Sequence, residues 1–347
     1  MKHELRIMNK LEIRNWKLKI FLVVLFSLIL NLKSPTVANA QSVDLGIYPP
    51  VIQIQATTPS NVSAPFYIQN FSDSSVDLSI SLTPFTAAPA ENGTVSFLDN
   101  LNSFPDPSLL QKIQVEDDNN PIQTITLAPK QKRNLNLIVQ IPQNQTKGDY
   151  YISLIFTSGG QTSVKTNSSQ ALAGIVSNIL LSIGPLGETK GYIADFSAPA
   201  FVAKGPLPFT VRVENTSDHY ITPKGDIVIT NMFGQNVGKI NLLRVNILSN
   251  TTRRIPDSVQ SGGPDSKDYQ TIKAIVDNNQ YPVAVWPEKL LVGPYTATLT
   301  IALSDSGPLF KKSIIFFAFP TEYLIAILAT ICMIIFIIFR VRQKISQ

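Results

Sequence analysis

The chain has two histidines, His3 and His219, so imidazole chemistry beyond the N-terminal segment rests on His219 alone. It stands in Ser217-Asp-His-Tyr220, an acid beside a base in a turn. A hydrolytic triad needs a nucleophile within reach of the imidazole as well as an orienting acid. Neighbours in a turn at a strand end supply only the acid, and the expected role of His219 is structural. A zinc site built on His and Cys is excluded by count, because the single cysteine, Cys332, lies in an apolar run near the C-terminus. The densest acidic cluster, Glu116-Asp-Asp-Asn-Asn120, carries oxygens that suit calcium but lacks the spacing of a calcium loop. It reads as a solvated turn before Pro121. No Gly-rich phosphate loop occurs, and nothing in the sequence pairs two carboxylates for glycoside hydrolysis. The expectation is a non-enzymatic chain with no catalytic, metal or cofactor residues, and with no ligand-binding residue assigned.

Seven N-x-S/T triplets begin at Asn61, Asn70, Asn92, Asn144, Asn167, Asn215 and Asn250. In a eukaryotic secretory protein they would mark glycosylated loops. A chain this rich in Asn, Ser and Thr makes such triplets by chance, and that is the preferred reading.

Charge is divided unevenly. Residues 1–40 and 340–347 hold 10 Lys/Arg against 2 Asp/Glu, so the net +5 of the whole leaves −3 for the segment between. The basic character belongs to the two ends. A mildly acidic middle has no footprint for nucleic acid, which needs a basic face.

Those ends explain themselves as targeting and anchoring. Lys17 and Lys19 precede the apolar run Ile20 to Leu30, and Val37-Ala-Asn-Ala40 offers a small-residue cleavage site. This is a secretory signal over 1–40, with the mature chain beginning at Gln41. An uncleaved signal anchor is the alternative, and Met8 is a second possible start. Near the other end, Tyr323 to Phe339 is a charge-free run of 17 residues, followed by Arg340, Arg342 and Lys344. At about 1.5 Å per residue it spans roughly 25 Å as a helix, the short end of a bilayer core. A buried core helix fits poorly, since the run is apolar on every face. The basic tail stays cytoplasmic by the positive-inside tendency. The expected partner of residues 323–339 is therefore the lipid bilayer, with the ectodomain outside a cell membrane crossed once.

Between the ends, apolar residues alternate at period two. Val76, Leu78, Ile80 and Leu82 form one such run; Leu135, Leu137, Val139 and Ile141 another; Tyr150, Ile152, Leu154 and Phe156 a third. Phe209, Val211 and Val213 continue the pattern, as do Tyr295, Ala297, Leu299 and Ile301. These are half-buried strands separated by turn-forming residues. Helical pattern is confined to Asp106-Pro-Ser-Leu-Leu-Gln-Lys112, where Asp106 suits an N-cap and Pro107 the first helical position. Many short strands without βα alternation predict an all-β chain of sandwiches. With no cysteine in the ectodomain, these are held by hydrophobic cores and not by disulfides.

A repeat sets their number. Pro65-Phe-Tyr-Ile-Gln-Asn-Phe-Ser-Asp73 resembles Pro208-Phe-Thr-Val-Arg-Val-Glu-Asn-Thr-Ser-Asp218, and Gly148-Asp-Tyr-Tyr151 resembles Gly293-Pro-Tyr-Thr296. Phe66 precedes Tyr150 by 84 positions and Phe209 precedes Tyr295 by 86. Two tandem Ig-like β-sandwiches are predicted, at 41–186 and 187–312, with the boundary in Gly184–Lys190. The first runs on past its repeat into Ala171–Ile183, read as one more strand. Asp257–Asp268 reads as an exposed loop. Ser304–Pro308 closes the last hairpin or starts a stalk. Residues 313–322 are expected to be juxtamembrane, with Ser313–Phe319 either a final strand or an interfacial segment.

Leu45-Gly-Ile-Tyr-Pro-Pro-Val-Ile-Gln-Ile54, the Phe66–Asp73 strand-turn, Leu127-Ala-Pro-Lys-Gln131, the Leu135–Pro142 strand and Gly148-Asp-Tyr-Tyr151 come in an order that resembles the bacterial WxL-interacting surface proteins. That resemblance implies two immunoglobulin-like domains ahead of a transmembrane helix, with peptidoglycan as a partner of the first domain and another surface protein as a partner of the second. It carries over no binding residue, because the matching positions are those that make the fold. The opening Pro-Val-Ile-Gln-Ile strand and the Asn-x-Ser turn are also similar to two-domain pilus chaperones, which bind by offering a strand edge. Such chaperones are soluble, and the anchor counts against them. The sequence thus reads as a membrane-anchored cell-surface protein with a binding or scaffolding role. A tethered assembly chaperone is the alternative, and a wall-glycan hydrolase a remote one.

Overall fold

A computed structural model describes residues 43–158, 174–258, 282–305, 307–321, 329–338 and 340. The expected signal segment 1–40 lies outside them. The first sandwich contains β1 (Leu45–Tyr48), β2 (Val51–Ala56), β3 (Ser60–Asn70), β4 (Val76–Ala87), β5 (Val95–Phe97), β6 (Ile113–Asp117), β7 (Asn120–Ile122), β8 (Thr124–Leu127), β9 (Lys132–Ile141), β10 (Gly148–Ser158) and β11 (Gly174–Ile183). One sheet runs β1-β3-β9-β6-β7; the other runs β2-β11-β10-β4-β5, with β8 also on β4. The second sandwich contains β12 (Gly191–Ser197), β13 (Phe201–Val202), β14 (Leu207–Asn215), β15 (Lys224–Asn231), β16 (Asn236–Asn241), β17 (Thr251–Arg254), β18 (Ala284–Trp286), β19 (Gly293–Ala302) and β20 (Leu309–Ala318). Its sheets run β12-β14-β17, with β18 also on β14, and β13-β20-β19-β15-β16.

The alternation decides which face turns inward. Tyr150, Ile152, Leu154 and Phe156 on β10 are fully buried, and Leu135, Leu137, Val139 and Ile141 on β9 nearly so. Across the first core, Phe66 of β3 meets Phe156 of β10 with ring centroids 6.1 Å apart. Across the second, Phe209 of β14 meets Phe316 of β20 edge-on at 6.0 Å. Burying a side chain of this kind is worth about 1.5–3 kcal/mol, so these facing rows supply the cohesion that disulfides supply elsewhere.

The two sandwiches share a topological core, to which the first adds β6, β7 and β8. The antiparallel pair β10–β11 corresponds to β19–β20, and the parallel neighbour β2 of β11 corresponds to β13 of β20. Likewise β3 between β1 and β9 corresponds to β14 between β12 and β17. This corrects the end of the second sandwich predicted at residue 312. Lys312 lies in mid-strand, paired with Leu299, and the ladder continues to Ala318 opposite Gly293. The juxtamembrane assignment of 313–322 fails over 313–318 because Phe316 and Ala318 point into the core. Ser304–Pro308 closes the β19–β20 hairpin, where Leu303 N–H reaches Pro308 O. The strand predicted over Ala171–Ile183 is β11 from Gly174 onward, and it is not an addition to the repeat, since β20 is its counterpart.

Two local expectations have clear outcomes. Asp106 caps a short 3-10 helix over Pro107–Lys112, its carboxylate accepting Ser108 N–H at 3.0 Å. Asp257, read as part of an exposed loop, is buried and accepts Val285 N–H at 3.0 Å; residues 259–268 lie outside the described residues. Of the expected anchor, residues 329–338 are helical, while 323–328 and 339 lie outside the described residues. No helix among the described residues is long and apolar enough to cross a membrane.

Candidate functional site

The repeat is registered by a buried asparagine. Asn70 ends β3 fully buried, and its amide donates to Ser74 O (2.7 Å), Ala128 O (3.0 Å) and, more loosely, Leu127 O (3.3 Å). Asn215 ends β14 in the same way, donating to His219 O (2.8 Å), Ile247 O (3.0 Å) and Leu248 O (3.0 Å). Each side-chain oxygen accepts the N–H two residues on, from Ser72 and Ser217. Both asparagines thus tie a strand end to a distant turn by meeting carbonyls that burial would otherwise orphan. Aligned on them, Asn70 to Tyr150 and Asn215 to Tyr295 both span 80 positions, which tightens the 84 and 86 obtained from Phe66 and Phe209. Two of the seven N-x-S/T triplets are therefore structural locks. Asn61, Asn144 and Asn250 are exposed, Asn92 is half-exposed and caps its own turn through Thr94, and Asn167 lies outside the described residues.

His219 belongs to the second lock. Its backbone oxygen receives Asn215, and its buried ring lies 3.0 Å from the Asp218 carboxylate and 3.4 Å from Thr189 Oγ1. The hydrogen bond with His219 holds the exposed Asp218 carboxyl below the usual carboxylate range. The acidic cluster at Glu116–Asn120 is a hairpin between β6 and β7. Its Asp117 takes both carboxylate bonds from Arg133 Nε, at 2.9 and 3.0 Å, and Asp118 pairs with the same guanidinium. Among the described residues no group of three His, Cys, Asp or Glu side chains could hold a metal ion.

What the sequence reading missed is the seam between the sandwiches, where three contacts stand out beside a Gln53 Nε2 to Asn246 Oδ1 hydrogen bond of 3.1 Å. The β4–β5 hairpin places Glu91 at positive φ, where its carboxylate takes Arg212 of β14 bidentately at 2.6 and 2.7 Å. That hydrogen bonding draws the Glu91 carboxyl down and pushes Arg212 up. Glu91 O also accepts Arg254 N–H at 2.8 Å. The second contact centres on Asp149, at the start of β10, which accepts Ser182 Oγ (2.5 Å), Tyr151 OH (2.7 Å) and Tyr220 N–H (2.6 Å). Tyr151 OH in turn accepts Ser249 N–H at 3.1 Å. Burial first, and the neighbouring Asp149 charge second, push the Tyr151 phenol well above its ordinary value and raise that of Tyr220. The third contact is apolar: Phe85 and Leu180 of the first sandwich pack on Leu248 of the second, with Tyr151 and Tyr220 at the margin.

Beside this seam lies a cavity of about 120 Å³, with Phe85, Glu91, Asn178 and Leu180 on one side and Asn246 and Arg253 on the other. Arg253 Nη1 donates to Asn246 O at 2.6 Å, while its Nε is buried without a hydrogen-bond partner. Desolvation lowers its pKa. Gly93, at positive φ, lies so close to the Arg253 guanidinium that a Cβ there would collide with it. The cavity presents the amides of Asn178 and Asn246, the Glu91 carboxylate and the Arg253 guanidinium. The sequence held one clue to the seam: Gly148-Asp149 in the first sandwich is matched by Gly293-Pro294 in the second. A carboxylate present in one copy alone points to a task that only that copy has.

No family model matches the chain, and no curated protein matches it in sequence. Solved structures similar to it include the class 5 fimbriae chaperone CfaA, with 12% identity over 80% of this chain and 100% of that one and a TM-score of 0.34. The E. coli chaperone DraB is similar at 9% identity over 78% and 96%, with a TM-score of 0.34. The YadV chaperone is similar at 10% identity over 79% and 100%, with a TM-score of 0.33. At these scores the likeness is one of general β-sandwich build.

Proposed function

We propose that this chain is a membrane-anchored surface protein with a non-enzymatic binding or scaffolding role, its ligand being cell-wall polymer or another surface protein. The observation that carries the anchoring is the helical run 333–338. Met333, Ile334, Ile335, Phe336, Ile337 and Ile338 are each at least half exposed, so apolar side chains cover every face of that stretch and no described part of the chain buries them. Such a stretch is stable in lipid and costly in water. The basic residues that follow it support a cytoplasmic tail. The seam supports the binding role: it fixes two sandwiches as one body, and its cavity is lined by both. The layout resemblance to WxL-interacting surface proteins agrees with this reading.

A fragment running from 41 through 320, so that β20 is kept, is mixed with purified peptidoglycan sacculi and with a surface-protein extract. Retention on either without release of soluble sugar supports the proposal. Released muropeptides would revive a hydrolase, and binding to neither overturns the binding role. A second reading, a tethered assembly chaperone, is favoured by β2, whose outer edge pairs with no strand among the described residues and whose Val51 lines the cavity. A chaperone would hold a partner that lacks a strand and release it once that strand is supplied.

A further inference from the structure

Because the sandwiches share a core of strands, the outer face of β10–β11 in one has a counterpart on β19–β20 in the other. Tyr151 faces Leu180 across β10 and β11; the counterparts are Thr296 and Ile315 across β19 and β20. Leu180 is 3% exposed, covered by the second sandwich, whereas Ile315 is 74% exposed. The hairpin tips correspond too. The β4–β5 tip carries Glu91, which grips Arg212; the β15–β16 tip carries Met232 and Phe233, 62% and 76% exposed. Asp149, which accepts Tyr220 N–H, is replaced by Pro294. The second sandwich therefore repeats a docking face, but with its carboxylates exchanged for apolar groups.

More apolar side chains gather at the same end. Leu290 and Val292 lead into Gly293, both more than half exposed. The Met232 sulfur lies 3.6 Å from where a Cβ on Gly293 would stand. Phe317 stacks on Phe201 with centroids 6.0 Å apart. The chain also departs here: β20 ends at Ala318, opposite Gly293, and the apolar run begins at Tyr323. Five residues reach at most about 18 Å fully extended, so whatever the run enters is held close to this face.

We infer that this end of the second sandwich lies in the lipid–water interface, with the Met232–Phe233 tip set among the headgroups. The inference rests on the anchoring proposed above. Lipid is the occupant, and not a further protein domain, for two reasons. Where the equivalent face meets protein, Glu91 and Asp149 fix an apolar contact in place, and this face has lost both carboxylates. The tether, moreover, presents it to a bilayer at high effective concentration. Exposed aromatic and long aliphatic groups at a membrane-proximal rim are what the interfacial region favours. The fixed seam then makes the pose of the second sandwich on the membrane set the direction in which the first one points.

The test uses the full chain in lipid nanodiscs with Cys332→Ser and single cysteines carrying a nitroxide: Phe233→Cys, Leu290→Cys, Ile334→Cys in the helix, and Phe97→Cys on the first sandwich. Collision with dioxygen and with a water-soluble nickel chelate reports depth. The expected result is that labels at 233 and 290 show a dioxygen-to-nickel ratio several-fold above that at 97 and approaching that at 334. A lipid-like signal at 334 with 233 and 290 both matching 97 overturns this inference alone. A water-like signal at 334 overturns the anchoring and this inference with it.

Discussion

Leu180 and Ile315 occupy the same place on equivalent strands, one 3% exposed and the other 74%. Nothing in the strand pattern separates them: each is an aliphatic residue on the outer face, opposite an inward row that is buried in both copies. The difference comes from what lies on top. In the first sandwich, Tyr220 and Leu248 cover Leu180, and Glu91 and Asp149 fix the cover in place. In the second, no described part of the chain plays that role. A repeated fold thus carries a repeated face, and the residues around the face decide whether it takes protein or something else.

The comparison can be broken most severely at β20. A fragment ending at 312 loses the strand segment that holds Phe316 and Ala318, the counterparts of core residues on β11. Removing one buried aromatic alone costs about 3–5 kcal/mol. Such a fragment should show one cooperative transition, from the first sandwich, where a fragment ending at 320 unfolds both; calorimetry of the pair decides. The locks come next. Asn70→Ala and Asn215→Ala each leave buried carbonyls unmet, at about 1–3 kcal/mol apiece, and should lower stability by similar amounts in denaturant titration. A large effect at one and none at the other would dissolve the claimed equivalence.

The outer faces give a smaller and sharper contrast. Leu180→Ala should destabilise by about 2–3 kcal/mol, as a buried truncation does, while Ile315→Ala should stay within about 0.5 kcal/mol in aqueous buffer. Equal costs at both sites would show that Ile315 is covered. The smallest expected effect is acid lability of the seam. Because Arg212 depresses the Glu91 carboxyl in the folded state, its stabilising contribution is complete above the free value, about 4.3, and is lost as pH falls through the depressed one. Glu91→Gln should flatten that part of the stability–pH curve and leave the neutral-pH fold intact.

Much of the fold was legible because a half-buried strand has to alternate. The rows Leu135–Ile141 and Tyr150–Phe156 announce themselves by period two, and Asp106-Pro107 announces its cap by the chemistry of a helix start. Ser313–Phe319 was ambiguous, since an apolar strand and an interfacial segment share composition. The repeat held the answer: the strand after Gly148-Asp-Tyr-Tyr151 requires a counterpart after Gly293-Pro-Tyr-Thr296. Asn70 and Asn215 stood in plain sight within N-x-S/T triplets, where local sequence cannot say whether an amide faces water or three carbonyls. Of the candidate site, only the mismatch of Asp149 with Pro294 was legible. Glu91 and Arg212 lie 121 positions apart, Asp149 and Tyr220 lie 71 apart, and no periodicity links residues in different sandwiches.

The sequence by itself determined the class of fold, the number of sandwiches, the absence of any disulfide within the chain and the apolar character of the C-terminal run, because all of these depend on composition and near-neighbour spacing. Only the tertiary structure decided which outer face is covered, which asparagines are locks and where the second sandwich ends. Those outcomes depend on contacts between residues far apart in the chain, and burial, not residue type, is what gives a carboxylate, an amide or an isoleucine its role.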